Sequence, residues 1–290
     1  MGPSSLRPTT PSRSSAPIEA LAPSHPRVRR LRRLVQKRSL RWEERVCVLE
    51  GPDLINAALD AGTTFEALFI NADHVGAGVV TDVLARLPET GVRVYTLDAA
   101  TFARVSDAST PQPLLASVPL PISELDSITL EGLVLVLHDV RDPGNAGTLI
   151  RSADASGASG VVFTGHSVDP FNPKTLRASA GSVFHVPVVV AELDDALESL
   201  RARGARIYAT VVRGGLSHRI IDFTTASAVL IGNEAEGLSD AVVADCDAAI
   251  SIEMAGESES LNAGVAGSLI AFEALWQRRG TTSPPSPSSL

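Results

Sequence analysis

"HDVRDPGNAGTLIRSADASG", from His138 to Gly157, contains the step from a strand to a helix that decides the fold. The apolar run "LVLVLHD" leads into a turn with a proline, two glycines and an asparagine, and a helical pattern follows. This order is typical of a parallel sheet whose strands alternate with helices. Because ligands of such sheets bind beyond the carboxyl ends of the strands, the turn is a predicted binding site.

Arg151 stands near the start of the predicted helix, where the helix dipole already favours anions. Asn145 can cap that helix, and Gly144 and Gly147 let another molecule approach the backbone. Thr148 and Arg151, three residues apart, share one helix face. The pattern is that of a phosphate site, and a surface ion pair of Arg151 beside an ordinary glycine turn is the alternative.

Two later segments have the same form, an apolar strand that breaks into a loop before a helix. They are "VLIGNEAEGLS", Val229 to Ser239, and "ISIEMAGESESLNAGVAGSLIAFEAL", Ile250 to Leu275. Taken singly, each can be a simple strand–turn–helix in which Ser260 and Asn262 only cap a helix. Neither the spacing of a dinucleotide fingerprint nor a P-loop run occurs, which disfavours an oxidoreductase or an NTPase.

The chain divides by composition into two α/β units with a tail at each end. The predicted parts are a disordered tail over 1–23, a small α/β domain over 24–120, a linker over 121–132, a second domain over 133–280 and a disordered tail over 281–290. The first domain opens with one basic helix over 27–39, and the last helix of the second runs from about Ser260 to Arg278.

The strands predicted in the second domain are apolar along their whole length. They are "LVLVLHD", "GVVFTG", "VFHVPVV", "RIYATVV", "AVLIGN" and "AAISIEM". Strands of this composition predict a parallel sheet that helices cover on both faces. The fold class is therefore α/β.

Charge is concentrated in one segment of an otherwise acidic chain. The net charge is −8, yet residues 27–45 hold nine basic and two acidic residues. Such a basic helix is a phosphate-binding footprint, or else a solvated face that pairs with the protein's own acids.

Composition also restricts the compartment and the cofactors. No apolar run is long enough for a membrane span and no signal peptide is evident, so we expect a cytoplasmic protein without a membrane. Two distant cysteines and scattered histidines predict neither a disulfide nor a metal site.

Together, in this order, the three segments resemble the SpoU (TrmH) family of SAM-dependent RNA ribose methyltransferases, within the SPOUT superfamily. The first, "DPGNAGTLIRSADASG", has the family's Asn145 and Arg151; the second, "LIGNEAEGLS", has Gly232, Glu234 and Gly237; the third, "SLNAGVAGSLI", has Ser260 and Asn262. "FNPKTLRASAGSVFHVPV" is similar to the stretch between the first two. The resemblance covers 133–278, and the N-terminal unit is similar, more loosely, to the family's substrate-binding domain, a ribosomal-protein-like α/β fold.

The resemblance implies a parallel sheet with a deep trefoil knot, S-adenosyl-L-methionine (SAM) as cofactor, and a homodimer formed through the C-terminal domain. It implies a catalytic group of Arg151, Asn145, Glu234, Ser260 and Asn262. The implied cofactor residues are Leu230, Ile231, Gly232, Asn233, Gly237, Ile252, Met254, Gly256, Ser260 and Leu261. We predict RNA contacts at Arg29, Arg30, Arg32, Arg33, Lys37, Arg38, Lys174 and Arg177.

The implied reaction is methyl transfer to a ribose 2'-hydroxyl, with 23S-type ribosomal RNA as the expected substrate. Arg151 acts at that hydroxyl as a base, or it binds the adjacent phosphate and stabilises oxyanion character. Transfer RNA, or a non-catalytic RNA-binding role, are the alternatives. Glu253 stands where the family commonly has a proline, close to the expected cofactor loop.

Overall fold

Two β-sheets, one in each half of the chain, organise the computed structural model, which describes residues 18–88 and 91–281. Of the tails predicted over 1–23 and 281–290, residues 1–17 and 282–290 lie outside the described residues. Among the helices of these ranges, none combines the length and the apolar character that a membrane span requires. Nor do the described residues contain a group of three or more metal-binding side chains.

The first domain is a mixed sheet with helices on both faces. Its strands are β1 (Glu19–Ala20), β2 (Val46–Glu50), β3 (Ala67–Asn71), β4 (Arg93–Leu97) and β5 (Leu114–Pro119), and its helices are α1 (Pro26–Gln36), α2 (Arg38–Glu44), α3 (Pro52–Asp60), α4 (Gly78–Arg86) and α5 (Ala99–Val105). The strand order is β1-β4-β3-β5-β2, and β5 runs antiparallel to both of its neighbours.

The prediction of a single basic helix over 27–39 is wrong, because the helix is interrupted at Lys37 and forms two helices, α1 and α2. α1 follows the helical spacing, with Leu31, Leu34 and Val35 buried against the sheet. The break turns Arg41 inward, and its Nη1 donates to the carbonyls of Leu34 (2.7 Å) and Val35 (3.1 Å) at the end of α1. These carbonyls accept no hydrogen bond from within the helix, so the buried guanidinium supplies the donors that a further helical turn would have supplied.

Residues 18–23 are ordered and correct the predicted tail of 1–23. Glu19 and Ala20 pair in parallel with Tyr95 and Thr96 of β4, and Leu21 is buried beside them. A strand of two residues is too short for periodicity to reveal it.

The second domain has a seven-stranded sheet in which every neighbouring pair is parallel. Its strands are β6 (Leu133–His138), β7 (Gly160–Thr164), β8 (Val188–Val190), β9 (Arg206–Thr210), β10 (Leu216–Ser217), β11 (Ser227–Ile231) and β12 (Ala248–Ser251). Its helices are α6 (Pro143–Ser156), α7 (Pro173–Ser179), α8 (Leu193–Ala202), α9 (Asp240–Asp245) and α10 (Ala263–Thr281). The order β10-β12-β9-β11-β6-β7-β8 confirms the predicted parallel sheet.

Two predicted boundaries in this domain move. "VFHVPVV" is not one strand: Gly181, at φ +95°, opens a 3-10 turn over Ser182–Phe184, and β8 begins only after Pro187, which has no N–H to donate. The last helix begins at Ala263 rather than Ser260, because Asn262 caps it by accepting the Val265 N–H at 3.1 Å.

A buried ion pair joins the two domains. Arg41 of α2 donates from Nε (2.8 Å) and Nη2 (2.6 Å) to Oδ2 of Asp169, and the two side chains are only 2% and 3% exposed. Trp42 donates its Nε1–H to Asp169 at 3.3 Å and packs against Phe171. Trp42 is therefore a packing residue of the domain contact.

A second pair crosses the same contact in the opposite direction. Arg177 of α7 donates to Glu50 of β2 at 3.1 Å, and Glu50 is buried. Gly181 follows α7, and a Cβ there would lie 2.5 Å from the Cβ of Ala57. α7 is thus held between the first domain and α6, where a Cβ on Gly147 would lie 2.4 Å from that of Ala178.

Candidate active site

Four neighbouring parallel strands, β12, β9, β11 and β6, end at one edge of the second sheet. The loops that follow β6 and β11 and the segment between β12 and α10 therefore meet there. These are the three segments that the sequence singles out.

Glu234 ties the loop after β11 to the start of α6. Its Oε2 accepts the backbone N–H of Arg141 at 3.2 Å, and its Oε1 accepts that of Asp142 at 3.0 Å. The same Oε1 accepts the side-chain amide of Asn145 at 3.0 Å. One carboxylate thus fixes both the turn and the first residues of α6.

Asn145 connects this contact to the third segment. Its Nδ2 donates to Glu234, and its buried Oδ1 accepts from Nδ2 of Asn262 at 2.8 Å. Asn262 also caps α10, and a Cβ on Gly264 would lie 3.2 Å from the Asn145 oxygen. The structure therefore brings Asn145, Glu234 and Asn262 together in one hydrogen-bonded chain.

Asn233 closes a hairpin over the same loop. It exchanges two backbone hydrogen bonds with Gly237, which lies at φ +68°, and its side-chain oxygen accepts the N–H of Ala235. Its Nδ2 donates to the carbonyl of Asp139 at 2.9 Å. Asp139 has φ +57°, a conformation that is uncommon outside glycine and that turns this carbonyl toward the hairpin.

The pKa of Glu234 lies below its ordinary value. Partial burial opposes ionisation, but the hydrogen bonds from Asn145 and from the backbone N–H groups of Asp142 and Arg141 outweigh it. A lowered pKa means that the carboxylate contributes stability above the pKa of the unfolded chain, and that this contribution is lost as the pH falls through the folded pKa.

Glu234→Gln should lower the free energy of unfolding by about 1 kcal/mol. In either orientation a glutamine presents an NH₂ group to backbone donors. The control is Glu198→Gln, an exposed position on α8. Denaturant unfolding should give a difference between wild type and E234Q that is full at pH 7 and shrinks as the pH falls through the lowered pKa of Glu234. A difference that instead grew as the pH fell would contradict this linkage.

A cavity of about 230 Å³ opens beside the hydrogen-bonded chain. The predicted cofactor residues that line it are Ile231, Gly232, Asn233, Gly237, Ile252, Met254, Ser260 and Leu261. Leu230 is fully buried inside β11 and Gly256 is exposed, and neither lines the cavity. For Leu230 the reason is the strand alternation, which points it to the opposite face from Ile231.

The residues present fit a nucleoside cofactor. Ile231, Ile252 and Leu261 offer apolar walls for the faces of an adenine. The backbone of the hairpin also lines the cavity, although its N–H groups at Asn233, Ala235, Glu236 and Gly237 are bonded within the hairpin. The apolar ends of the strands form one part of the cavity wall, and loop residues form the other.

Sequence reasoning missed the wall formed by the end of β9, with Thr210, Val211 and Val212. Because β9 lies between β12 and β11, its carboxyl end had to reach the same edge, so the strand order would have found it. It also missed Ala266 and Ile270 of α10, which close the cavity from the other side.

Arg151 lies on α6 six residues after Asn145, or about 9 Å along the helix axis. It is exposed, it does not line the cavity, and no acidic side chain of the described residues forms an ion pair with it. The neighbouring Ser152 contacts Ser268 of α10 at 2.6 Å. Arg151 is therefore a free cation beside the seam of α6 and α10.

The predicted RNA-contacting residues fall into two groups. Arg29, Arg32, Arg33, Lys37, Arg38 and Lys174 are exposed. Arg30 is paired with Glu44 (2.5 Å) and Glu66 (3.0 Å), and Arg177 is paired with Glu50. For these two, the RNA contact stays a prediction that competes with an intramolecular pair.

Known families match both halves of the chain. Residues 132–272 match the SpoU rRNA Methylase family, and residues 25–116 match the MRM3-like substrate binding domain. The Bacillus subtilis 23S rRNA (guanosine(2553)-2'-O)-methyltransferase RlmP is 35% identical over 202 residues, 67% of this chain and 80% of the relative. The 23S rRNA (uridine(2479)-2'-O)-methyltransferase of Streptomyces viridochromogenes is 42% identical over 185 residues, 60% of this chain and 64% of the relative.

Among solved structures, the SpoU methyltransferase AviRb of Streptomyces viridochromogenes, in complex with AdoMet, superposes with a TM-score of 0.80 at 30% identity. The match covers 88% of this chain and 98% of AviRb. The matched families and the likeness to AviRb identify an RNA methylase of the SPOUT class with a separate substrate-binding domain. The chain belongs to the SpoU rRNA methylase family, which confirms the resemblance in its sequence.

Proposed function

We propose that the chain transfers the methyl group of SAM to a ribose 2'-hydroxyl of 23S-type ribosomal RNA. The observation that carries this is the hydrogen-bonded chain of Glu234, Asn145 and Asn262 beside an apolar cavity of nucleoside character. Relatives named for 23S rRNA 2'-O-methylation, and a likeness to AviRb with AdoMet, support it. The match of residues 25–116 to the MRM3-like substrate binding domain, together with relatives named for 23S rRNA, favours ribosomal over transfer RNA, and such a protein would act in the cytoplasm.

The bound cofactor supplies an electrophilic methyl group, so the chain's own residues must orient the acceptor and assist loss of its proton. The hairpin of Asn233 and Gly237 and the end of β11 would hold the nucleoside. Ser260 and Asn262 lie between this cavity and the start of α6, where they would position the ribose or its phosphate. Glu234 holds the turn before α6 and, through Asn145, the side chain of Asn262.

Arg151 would act on the acceptor as a cation. A guanidinium stays protonated at all ordinary pH values, so binding the adjacent phosphate and stabilising oxyanion character suits it better than accepting a proton. Because no acidic side chain within 18–88 or 91–281 pairs with it, its whole charge is left for that task.

The first domain would hold the RNA through the exposed basic residues of α1. Replacing Arg29, Arg32 and Arg33 with alanine should weaken RNA binding and reduce the slope of log affinity against log salt by about two to three. Filter binding at several salt concentrations measures both. The control is Arg86→Ala on α4, which removes one charge already paired with Asp60. An unchanged slope would exclude this face from the interface.

A second copy of the chain would cover an exposed stripe on α10. Val265, Leu269 and Trp276 lie on one helical face, and they are 47%, 42% and 60% exposed. The stripe lies next to the contact between α6 and α10, beside Arg151. A dimer formed through this stripe would therefore place Arg151 near a candidate active site of the dimer. Apolar area of this kind marks an interaction surface.

Calorimetric titration with SAM, followed by transfer of labelled methyl to deproteinised 23S rRNA and to transfer RNA, tests the proposal. We expect SAM binding and a 2'-O-methylated nucleotide in 23S rRNA. Folded protein that binds RNA but neither binds SAM nor transfers methyl would establish the non-catalytic alternative, and product in transfer RNA alone would correct the substrate.

A further inference from the structure

A second cavity, of about 420 Å³, lies in the first domain between α1 and the sheet. The lining residues that matter here are Arg27 and Arg30 of α1, Glu66 and Phe69 at β3, Arg93 of β4 and Ser117 of β5. None of them lines the cavity of the candidate active site. The volume lies within the range of small-molecule binding sites.

The mouth of this cavity keeps an uncompensated positive charge. Arg30 is paired with Glu44 and Glu66. Arg27 and Arg93 are exposed, and neither forms an ion pair within the described part of the chain. Two free guanidinium groups at one opening favour an anionic ligand, and their planar donors suit a phosphate.

Ser117 supplies an independent sign of a ligand. It is 1% exposed, it lines the cavity, and its hydroxyl has no hydrogen-bond partner among the described residues. Buried polar groups are nearly always satisfied, so an unpaired hydroxyl at a cavity wall indicates a missing partner. Glu66 uses Oε2 for Arg30, and its carboxylate can also accept an N–H from a ligand.

The remaining surfaces suit a flat aromatic ring. Phe69 forms an aromatic wall of the cavity, while Tyr95, which does not line it, holds the Arg27 guanidinium 5.3 Å from its ring centroid. Guanidinium planes and aromatic rings are the usual surfaces on which splayed RNA bases stack. Phosphate-binding cations, a stacking surface and polar groups for a base edge thus surround one cavity.

We propose that this cavity binds one unpaired nucleotide of the RNA substrate, with its phosphate between Arg27 and Arg93 and its base edge toward Glu66 and Ser117. The assignment to RNA rests on the proposed function. The exposed arginines of α1 would hold the backbone outside the cavity, while the cavity selects an RNA that presents an unstacked nucleotide.

A mononucleotide tests the cavity itself. Titration of the full chain with guanosine 5'-monophosphate, followed by backbone amide NMR, should shift the signals of Ala67, Arg93 and Ser117. Guanosine without its phosphate should shift them much less, and Arg27→Ala/Arg93→Ala should abolish the response. No shift at these amides with either the nucleotide or a short single-stranded RNA would overturn the proposal.

RNA affinity tests whether the nucleotide belongs to a chain. We expect Arg27→Ala/Arg93→Ala to weaken binding of deproteinised 23S rRNA about tenfold, whereas Arg86→Ala stays within twofold. Both replaced arginines are exposed, and equal melting temperatures would confirm that the fold is kept. Mononucleotide binding without any change in RNA affinity would identify a free nucleotide as the ligand and overturn the RNA assignment. Because binding is measured rather than turnover, a wild-type protein without methyl transfer would refute the proposed function separately.

Discussion

Arg151→Ala should lower methyl transfer by about 10³-fold or more while leaving the affinity for SAM within several-fold. The reason is its placement: the side chain is exposed, lies outside the cavity and forms no ion pair with the described residues, so it can serve the acceptor without touching the cofactor. Losing one preorganised charge at an oxyanion has effects of this order. Single-turnover transfer and calorimetry measure the two quantities.

Arg206→Ala is the matched control, because Arg206 is an exposed arginine at the opposite end of the second sheet. Arg151→Lys separates two roles of the charge: a point charge should restore part of the rate, and bidentate phosphate binding should not tolerate the change. A folded R151A protein that no longer binds SAM would refute this division of roles.

Arg41→Met should have the largest effect on stability, a loss of about 3–5 kcal/mol in the free energy of unfolding. It leaves Asp169 charged and buried, and it removes the donors to the last carbonyls of α1. Arg41→Met/Asp169→Asn should recover part of the loss, because the stranded charge disappears. Thermal and denaturant unfolding measure both variants.

Arg86→Ala gives the comparison, since it breaks an ion pair with Asp60 whose two side chains are 40% and 65% exposed. Exposed pairs contribute about 1 kcal/mol or less. If R41M were no less stable than R86A, the buried pair would not hold the domains together.

Much of the candidate active site could be predicted because its residues follow strands of a parallel sheet. Asn145, Glu234 and Asn262 come from three segments in which an apolar strand is followed by a loop and then a helix. The carboxyl ends of neighbouring parallel strands bring such segments to one edge of the sheet. The prediction that Arg151 lies near the start of its helix is wrong, because α6 begins at Pro143 and Arg151 is the ninth of its fourteen residues, beyond the first turn where the helix dipole acts. The fold also places Arg151 outside the cavity.

Other features depend on contacts between distant segments, which leave no periodic signal. Arg41 and Asp169 are 128 residues apart in sequence, and nothing around Arg41 distinguishes it from the exposed arginines of the same basic segment. Its burial accompanies the break of the predicted helix at Lys37. β1 and β10, at two residues each, are likewise too short for hydrophobic alternation.

The two oppositely directed arginine–carboxylate pairs around α7 have a consequence for how a target nucleotide is chosen. Arg41 of the first domain pairs with Asp169 of the second, and Arg177 of the second pairs with Glu50 of the first. Sliding or rotation of either domain would therefore leave a buried carboxylate without its partner. Because the two domains are held in one arrangement, the distance between the nucleotide in the first-domain cavity and the ribose methylated at the second domain is fixed. The RNA, rather than the protein, must then bend to match it.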